Sequence, residues 1–306
     1  MLVTPRSLTR SGLDAVAELE PLRARGIELV SGPAGESPTP VQLEALLEGC
    51  DGWIAGVEHI DAATLEGARA LRVISRNGTG VDAIDLAAAE RAGITVVAAR
   101  GANAQGVAEL ALTLALMALR QVPWSAADLQ QGRWTRHPAL ELAQCRVGVV
   151  GLGAIGAKVA QAFSGLGAEV VGYDPVAPAG DVARVDLRQL VRTCDVITLH
   201  APPVPGGRPL IGTEVLDQVR PGAVLVNTAR ASLVDDDAVL AALADGRLTA
   251  YAVDAFDTEP PELGALLRHP RTIATPHLGA FTTASVSRAT SAAVDLLLEA
   301  LDRVRG

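Results

Sequence analysis

The stretch AYAVDAFDTEPPEL, residues 250–263, carries four carboxylates, Asp254, Asp257, Glu259 and Glu262. Two other chemically able residues stand at comparable places. Arg230 follows the strand-like run VLVNTA, and His277 ends TIATPH. Glu259 follows YAVDAF in the same way. A carboxylate beside an imidazole stabilises the imidazolium, which equips the pair to give and take a proton. A guanidinium nearby can hold a carboxylate through paired hydrogen bonds. In doubly wound sheets ligands bind in the crevice outside the carboxyl ends of the strands, so these three side chains are expected on one sheet edge.

What must position them is a β-α series whose first turn is rich in glycine. RVGVV runs into Gly151-Leu152-Gly153-Ala154-Ile155-Gly156 and then into a helical pattern. The next strand, AEVVGYD, ends in Asp174, close to the acidic position of a dinucleotide-binding unit. Glycines there permit a tight turn and let a pyrophosphate approach the helix N-terminus. A carboxylate at 174 would accept from both ribose hydroxyls and repel a 2′-phosphate, which favours NAD over NADP. Arg184, the nearest later basic residue, is expected to be too remote to reverse that. With a nicotinamide in the same crevice, the arginine, glutamate and histidine are equipment for hydride transfer at the carbon of a 2-hydroxy or 2-oxo acid.

A separate alternation precedes the glycine loop. Strand-like runs at 2–5, 27–32, 52–56, 71–76 and 94–99 are spaced by Ala/Leu/Glu-rich helical segments, which predicts a second parallel sheet covered on both faces. A helix from Asn103 to about Gln121 is apolar around most of its circumference and is expected to be buried between domains or subunits. Further strands are predicted at 195–200, 223–229, 249–256 and 272–277, with a packing helix over about 282–301. The fold class is therefore α/β, with two doubly wound parallel-sheet domains.

Composition agrees: 49% hydrophobic, 20% charged and few aromatics suits helices on parallel strands. A net charge of −9 without a basic cluster argues against a nucleic-acid partner. Cys50, Cys145 and Cys194 have neither disulfide nor metal spacing and are expected to be buried thiols. No metal site is expected. The opening MLVTPRSLTR lacks the apolar core of a signal peptide, and VAELALTLALMAL is too short to span a bilayer, so a cytoplasmic protein with no membrane partner is expected.

The motifs GLGAIG, VNTARASLVD, AVDAFDTEPP and ATPHLGA, preceded by NGTGVDAIDL and VAELALTLALMALRQ, resemble in order those of the D-isomer-specific 2-hydroxyacid dehydrogenase family, in particular its D-3-phosphoglycerate dehydrogenase-like branch. The resemblance implies that Arg230 holds the substrate carboxylate, His277 is the acid/base and Glu259 its partner. It places Asp254 near the nicotinamide carboxamide and leaves Asp257 and Glu262 as solvated loop acids. Gly151, Gly153, Ala154, Ile155, Gly156, Asp174, Pro202, Thr228, Ala229 and Gly279 would contact NAD. Thr79 and Gly80 would meet the substrate carboxylate, with the Thr79 side chain near the cofactor, and Arg76 and Asn77 would extend the substrate site. The family also implies a flavodoxin-like substrate domain at 1–100 plus 282–306, a Rossmann NAD-binding domain at 101–281, a cleft between them and a homodimer built partly by the long helix. Ala231, Gly207 and Ala284 depart from residues common in the family. The regulatory extension of longer members is expected to be absent.

Arg6 and Arg76 each end a strand of the first series, where they are placed to receive a second anionic group. That makes 3-phosphoglycerate, or another doubly anionic acid, a candidate substrate. The alternative functional class is an NAD(H)-sensing interaction protein of corepressor type with little turnover. A different NAD enzyme of similar two-domain layout is a third.

Overall fold

The structure, a computed structural model, describes residues 1–177, 180–204 and 206–305. The chain forms two compact units, Met1–Asn103 with Thr282–Gly306, and Ala104–Phe281.

In the first unit, β1 (Leu2–Val3), β2 (Val30–Ser31), β3 (Gly52–Ala55), β4 (Val73–Arg76) and β5 (Thr95–Ala98) form a parallel sheet in the order β2-β1-β3-β4-β5. Because successive side chains point to opposite faces, Trp53 and Ile54 enter different cores. Trp53 packs with Leu43, Leu65 and Ile74 beneath the helices Pro40–Leu46, Ala62–Gly67 and Leu86–Arg91. Ile54 packs with Leu19, Leu22, Val294 and Leu297, the last two from the closing helix Thr283–Arg305. Side chains cap several helix starts in this unit, including that of the closing helix, where Thr282 Oγ1 accepts from Ser285 N at 3.0 Å. Thr39 makes a capping box with Gln42, Asp61 accepts from Thr64 N, and Asp85 accepts from Ala88 N; each cap contributes about 1 kcal/mol.

The second unit holds β6 (Arg146–Val150), β7 (Glu169–Tyr173), β8 (Ala183–Arg184), β9 (Val196–Leu199), β10 (Ala223–Asn227), β11 (Leu248–Val253) and β12 (Thr272–Ala274). All are parallel, in the order β12-β11-β10-β9-β6-β7-β8. The order reverses between β6 and β9, the switch point at which a Rossmann sheet binds its dinucleotide. The unexpected strand is β8, two exposed residues with no periodic pattern to announce it.

The long apolar helix, Ala104–Leu119, is shorter than the sequence predicts. Its Ala108, Ala111, Leu114, Ala115 and Ala118 pack within its own unit against Val147, Val149, Val226 and Ala252 of the sheet and Phe163 of the helix Ala154–Gly165. Small side chains let it lie close to the strands, while Leu110, Leu112, Leu116 and Met117 on its other side are only partly buried. Gln121, at φ 56°, turns the chain by 61° into the helix Val122–Gln130. Among the described residues no single helix is long and apolar enough to cross a membrane.

Candidate active site

The loop after β6 uses its glycines for distinct reasons. Gly151 sits at φ 89°, and a Cβ there would stand 2.6 Å from the carbonyl carbon of His200, which follows β9. A Cβ on Gly156 would stand 1.8 Å from Gly151 O, so only glycine lets the helix close on the turn. Around Gly153 the space for a Cβ is open. Gly153 is also the N-cap of the helix Ala154–Gly165 and has no side chain to cap it. The first-turn N–H groups of Ala154 and Ile155 are thus offered at a positive helix end, which suits a pyrophosphate.

Asp174 follows β7 and braces this loop. Its Oδ2 accepts from Leu152 N at 2.8 Å, and its Oδ1 accepts from Val176 N and Ala177 N, each at 2.9 Å. Burial alone would raise its pKa, but these three bonds and the charge of Arg184 together hold it below the ordinary carboxylate value. Arg184 is therefore nearer than its place in the sequence indicated, because β8 pairs it in register with Gly172 of β7. Pro202 lies exposed in the loop after β9. Thr228 Oγ1 and His200 Nδ1, beyond β10 and β9, are buried without a hydrogen-bond partner. An uncapped helix start, open space at Gly153 and an orphaned hydroxyl at Thr228 together fit a bound dinucleotide.

The turn after β10 is shaped by Asn227, which is fully buried. Its Oδ1 accepts from Ala229 N at 3.1 Å, and its Nδ2 donates to Arg230 O at 2.8 Å. The guanidinium of Arg230 donates from Nη1 to Ala229 O at 2.7 Å. Residues 228–230 are thereby held just outside the strand.

Glu259 and His277 meet directly, Glu259 Oε1 contacting His277 Nδ1, with the imidazole side chain 43% exposed and the carboxylate side chain 23% exposed. His277 holds φ 52°, a left-handed conformation uncommon for a side-chain-bearing residue. Asp254, 2% exposed, accounts for it. Its Oδ1 accepts from Thr275 Oγ1 at 2.6 Å and Leu278 N at 2.7 Å, and its Oδ2 accepts from Gly279 N at 2.8 Å. The carboxylate thus clamps the chain on both sides of the histidine. Sequence reading, which set Asp254 beside the nicotinamide, missed this work. The acids Asp254 and Glu259 act on the same histidine, one through the residues around it and one through its ring.

In the other unit, Arg76 ends β4 and folds its Nη1 onto Asn77 O at 2.8 Å. Asn77 Oδ1 is buried and unpartnered, and Thr79 Oγ1 donates to Asn103 Oδ1 at 3.0 Å and accepts from Gly101 N at 3.3 Å. The loop containing Gly80 is thus pinned to the segment after β5. Cys50, Cys145 and Cys194 are free and buried.

Comparison with known proteins extends these geometries. The chain is 35% identical to D-3-phosphoglycerate dehydrogenase of Rattus norvegicus over 273 residues, covering 87% of this chain and 51% of that protein. It is 39% identical to the enzyme of the same name from Methanocaldococcus jannaschii over 249 residues, covering 78% of this chain and 47% of the other. The chain therefore spans about half the length of the curated relatives it matches. The crystal structure of the TT0316 protein from Thermus thermophilus is similar with a TM-score of 0.87 at 33% identity, over 99% of this chain and 97% of that one. Residues 112–279 match the model of the D-isomer specific 2-hydroxyacid dehydrogenase NAD binding domain, the region that holds the glycine loop, Arg230, Glu259 and His277, so NAD is the cofactor of this unit. The chain belongs to the D-isomer-specific 2-hydroxyacid dehydrogenase family.

Proposed function

We propose that the protein is an NAD-dependent oxidoreductase acting at C2 of a D-2-hydroxy acid and its 2-oxo counterpart. The observation that carries this reading is the Glu259–His277 contact on the sheet edge that also bears the glycine loop. Bound NAD supplies the hydride acceptor, or in reverse the donor. His277 exchanges the proton of the C2 hydroxyl through Nε2, because Nδ1 is engaged by Glu259. Glu259 stabilises the imidazolium that results. Arg230 holds the substrate carboxylate and polarises the carbonyl. Gly151, Gly153, Ala154, Ile155, Gly156, Asp174, Pro202, Thr228, Ala229 and Gly279 line the cofactor. Arg76, Asn77, Thr79 and Gly80 form the substrate loop.

Among substrates, 3-phosphoglycerate is supported by the names of the curated relatives and by two arginines of the first unit, Arg76 at the end of β4 and Arg6, which opens the helix Arg6–Thr9 after β1 instead of ending that strand as the sequence led us to expect. The two curated relatives described above are named as dehydrogenases, and nothing favours the corepressor-type reading. We place the protein in the cytoplasm as a homodimer. Exposed Leu129, Trp134 and Leu140, beyond the long helix, support the dimer, which sedimentation tests. The activity is tested by following NADH absorbance with a panel of 2-oxo acids. Turnover by the wild type and its loss in Arg230→Lys are expected; no turnover of any acid despite NADH binding sinks the proposal.

A further inference from the structure

The sheet of the second unit carries a cleft of about 580 Å³ at the end away from the glycine loop. Arg146 opens β6, Glu169 opens β7, and Asp195 directly precedes β9. Arg192 lies in the last turn of the helix Leu187–Thr193, and Arg220 comes shortly before β10. All five line the cleft. Backbone bonds hold them together. Arg146 N donates to Asp195 Oδ2 at 2.8 Å, Asp195 N to Arg146 O at 2.8 Å, and Arg220 N to Val191 O at 2.9 Å. Strand β6 has five residues, so at ~3.3 Å per residue the cleft lies about 16 Å from the turn where the pyrophosphate approaches. Ligands of doubly wound sheets bind at the carboxyl ends of the strands, and this cleft is at the amino ends.

Three guanidinium groups meet two carboxylates here, in a chain whose net charge is −9. The acids do not saturate the arginines. Asp195 Oδ1 lies 3.2 Å from Arg220 Nη2, and Glu169 Oε1 lies 3.1 Å from Arg146 Nε. The second contact is poorly aligned, because Arg146 Nε is buried without a hydrogen-bond partner. Arg192 is exposed and, among the described residues, makes no hydrogen bond or ion pair. Each guanidinium offers five N–H donors in a planar fork that matches an oxyanion, so most of the donors here are left over. The carboxylates keep lone pairs for hydroxyl donors. Among the described residues no aromatic side chain lines the cleft, so nothing in it would stack on a base.

We propose that this cleft is a second ligand site, which takes a small hydroxylated phosphate monoester. Arg146, Arg192 and Arg220 hold the phosphate, and Glu169 and Asp195 accept from the hydroxyls of the ester. The two acids also disfavour the denser charge of a polyphosphate. The volume is within the range of small-molecule sites, ~300–1,000 Å³. The bound ester ties the end of the helix Leu187–Thr193 to the starts of β6 and β10 and so stabilises the second unit by mass action.

The test is calorimetric titration of the full chain, saturated with NADH at constant ionic strength, with ribose 5-phosphate, glycerol 3-phosphate, ribose and inorganic phosphate. At least one ester is expected to bind the wild type about tenfold or more tightly than ribose or inorganic phosphate. Arg192→Ala removes an exposed side chain without a partner in the fold, so it is expected to melt like the wild type and to weaken the ester about tenfold or more. Arg192→Lys, which keeps the charge without the fork, is expected to recover part of the loss. Equal ester affinity in Arg192→Ala puts the ligand elsewhere and overturns the proposal, as does no binding of either ester to the wild type. Inorganic phosphate bound as tightly as the esters overturns the ligand class. None of these readings needs turnover, so the proposal and the dehydrogenase reading fail separately.

Discussion

His277 combines an uncommon backbone conformation with a carboxylate at its ring, and the buried Asp254 holds Leu278 and Gly279 after it and Thr275 two residues before it. Replacing it with alanine removes the proton-transfer group and leaves the glycine loop intact. His277→Ala is therefore expected to lose turnover by about 10²–10⁴-fold while NADH affinity, read by fluorescence titration, stays at the wild-type value. Equal turnover in the variant removes the histidine from the mechanism. His200 behaves differently. Its Nε2 pairs with Thr198 Oγ1 at 2.8 Å, its Nδ1 is enclosed without a partner, and burial pushes its pKa down to about 3 from 6.5. Below pH 6.5 the unfolded chain takes up a proton at this position that the folded chain refuses. The folded state thus has its full stability above that pH and loses it as the pH falls toward 3, by about 1.4 kcal/mol per pH unit. His200→Asn is expected to flatten the fall of the urea midpoint across this window. A parallel pH profile in the variant contradicts the burial argument.

At the scale of elements, the strand β6, the turn and the helix Ala154–Gly165 form one device whose tolerance differs by position. Gly148 within β6 faces Leu190, whose Cδ2 would lie 2.3 Å from a Cβ, so the helix Leu187–Thr193 packs on bare backbone. Gly156→Ala would drive a methyl group against Gly151 O and is expected to lower the melting temperature and abolish NADH binding together. Gly153→Ala has room in the fold, yet the methyl group intrudes where the pyrophosphate approaches. That variant is expected to melt like the wild type and bind NADH about tenfold or more weakly. Calorimetry with and without NADH separates the two, and equal behaviour of the pair refutes the division of labour among the glycines.

At the scale of the whole molecule, the two units differ in continuity. The second is one uninterrupted stretch, Ala104–Phe281, whereas the first needs Thr282–Gly306 to complete it. The closing helix contributes Val294, Leu297, Leu298 and Leu301 to the core around Ile54. Losing such side chains costs about 1.5–3 kcal/mol each, comparable in sum to the ~5–15 kcal/mol that stabilises a domain. Deleting residues 282–306 is expected to abolish the thermal transition of the first unit while the second still folds and binds NADH. Loss of NADH binding on that deletion argues that the second unit does not fold alone.

Both β-α series, the glycine loop and the strand-end places of Arg230, Glu259 and His277 were determined by sequence alone, because side-chain alternation, turn glycines and helix patterns are local properties of the chain. Strand β8 escaped it, being two residues long and exposed, and with it the approach of Arg184 to Asp174. Burial of the long helix against its own sheet, the clamp of Asp254 on Leu278 and Gly279, and the meeting of Asp195 with Arg146 and Arg220 were decided only by tertiary structure. The reason is physical. An acid's partners are whatever donors the returning chain brings to it, and Asp254 reaches Leu278 and Gly279 only because β12 lies beside β11 in register. Spacing announces which side chains can do chemistry, and packing assigns each of them its partner.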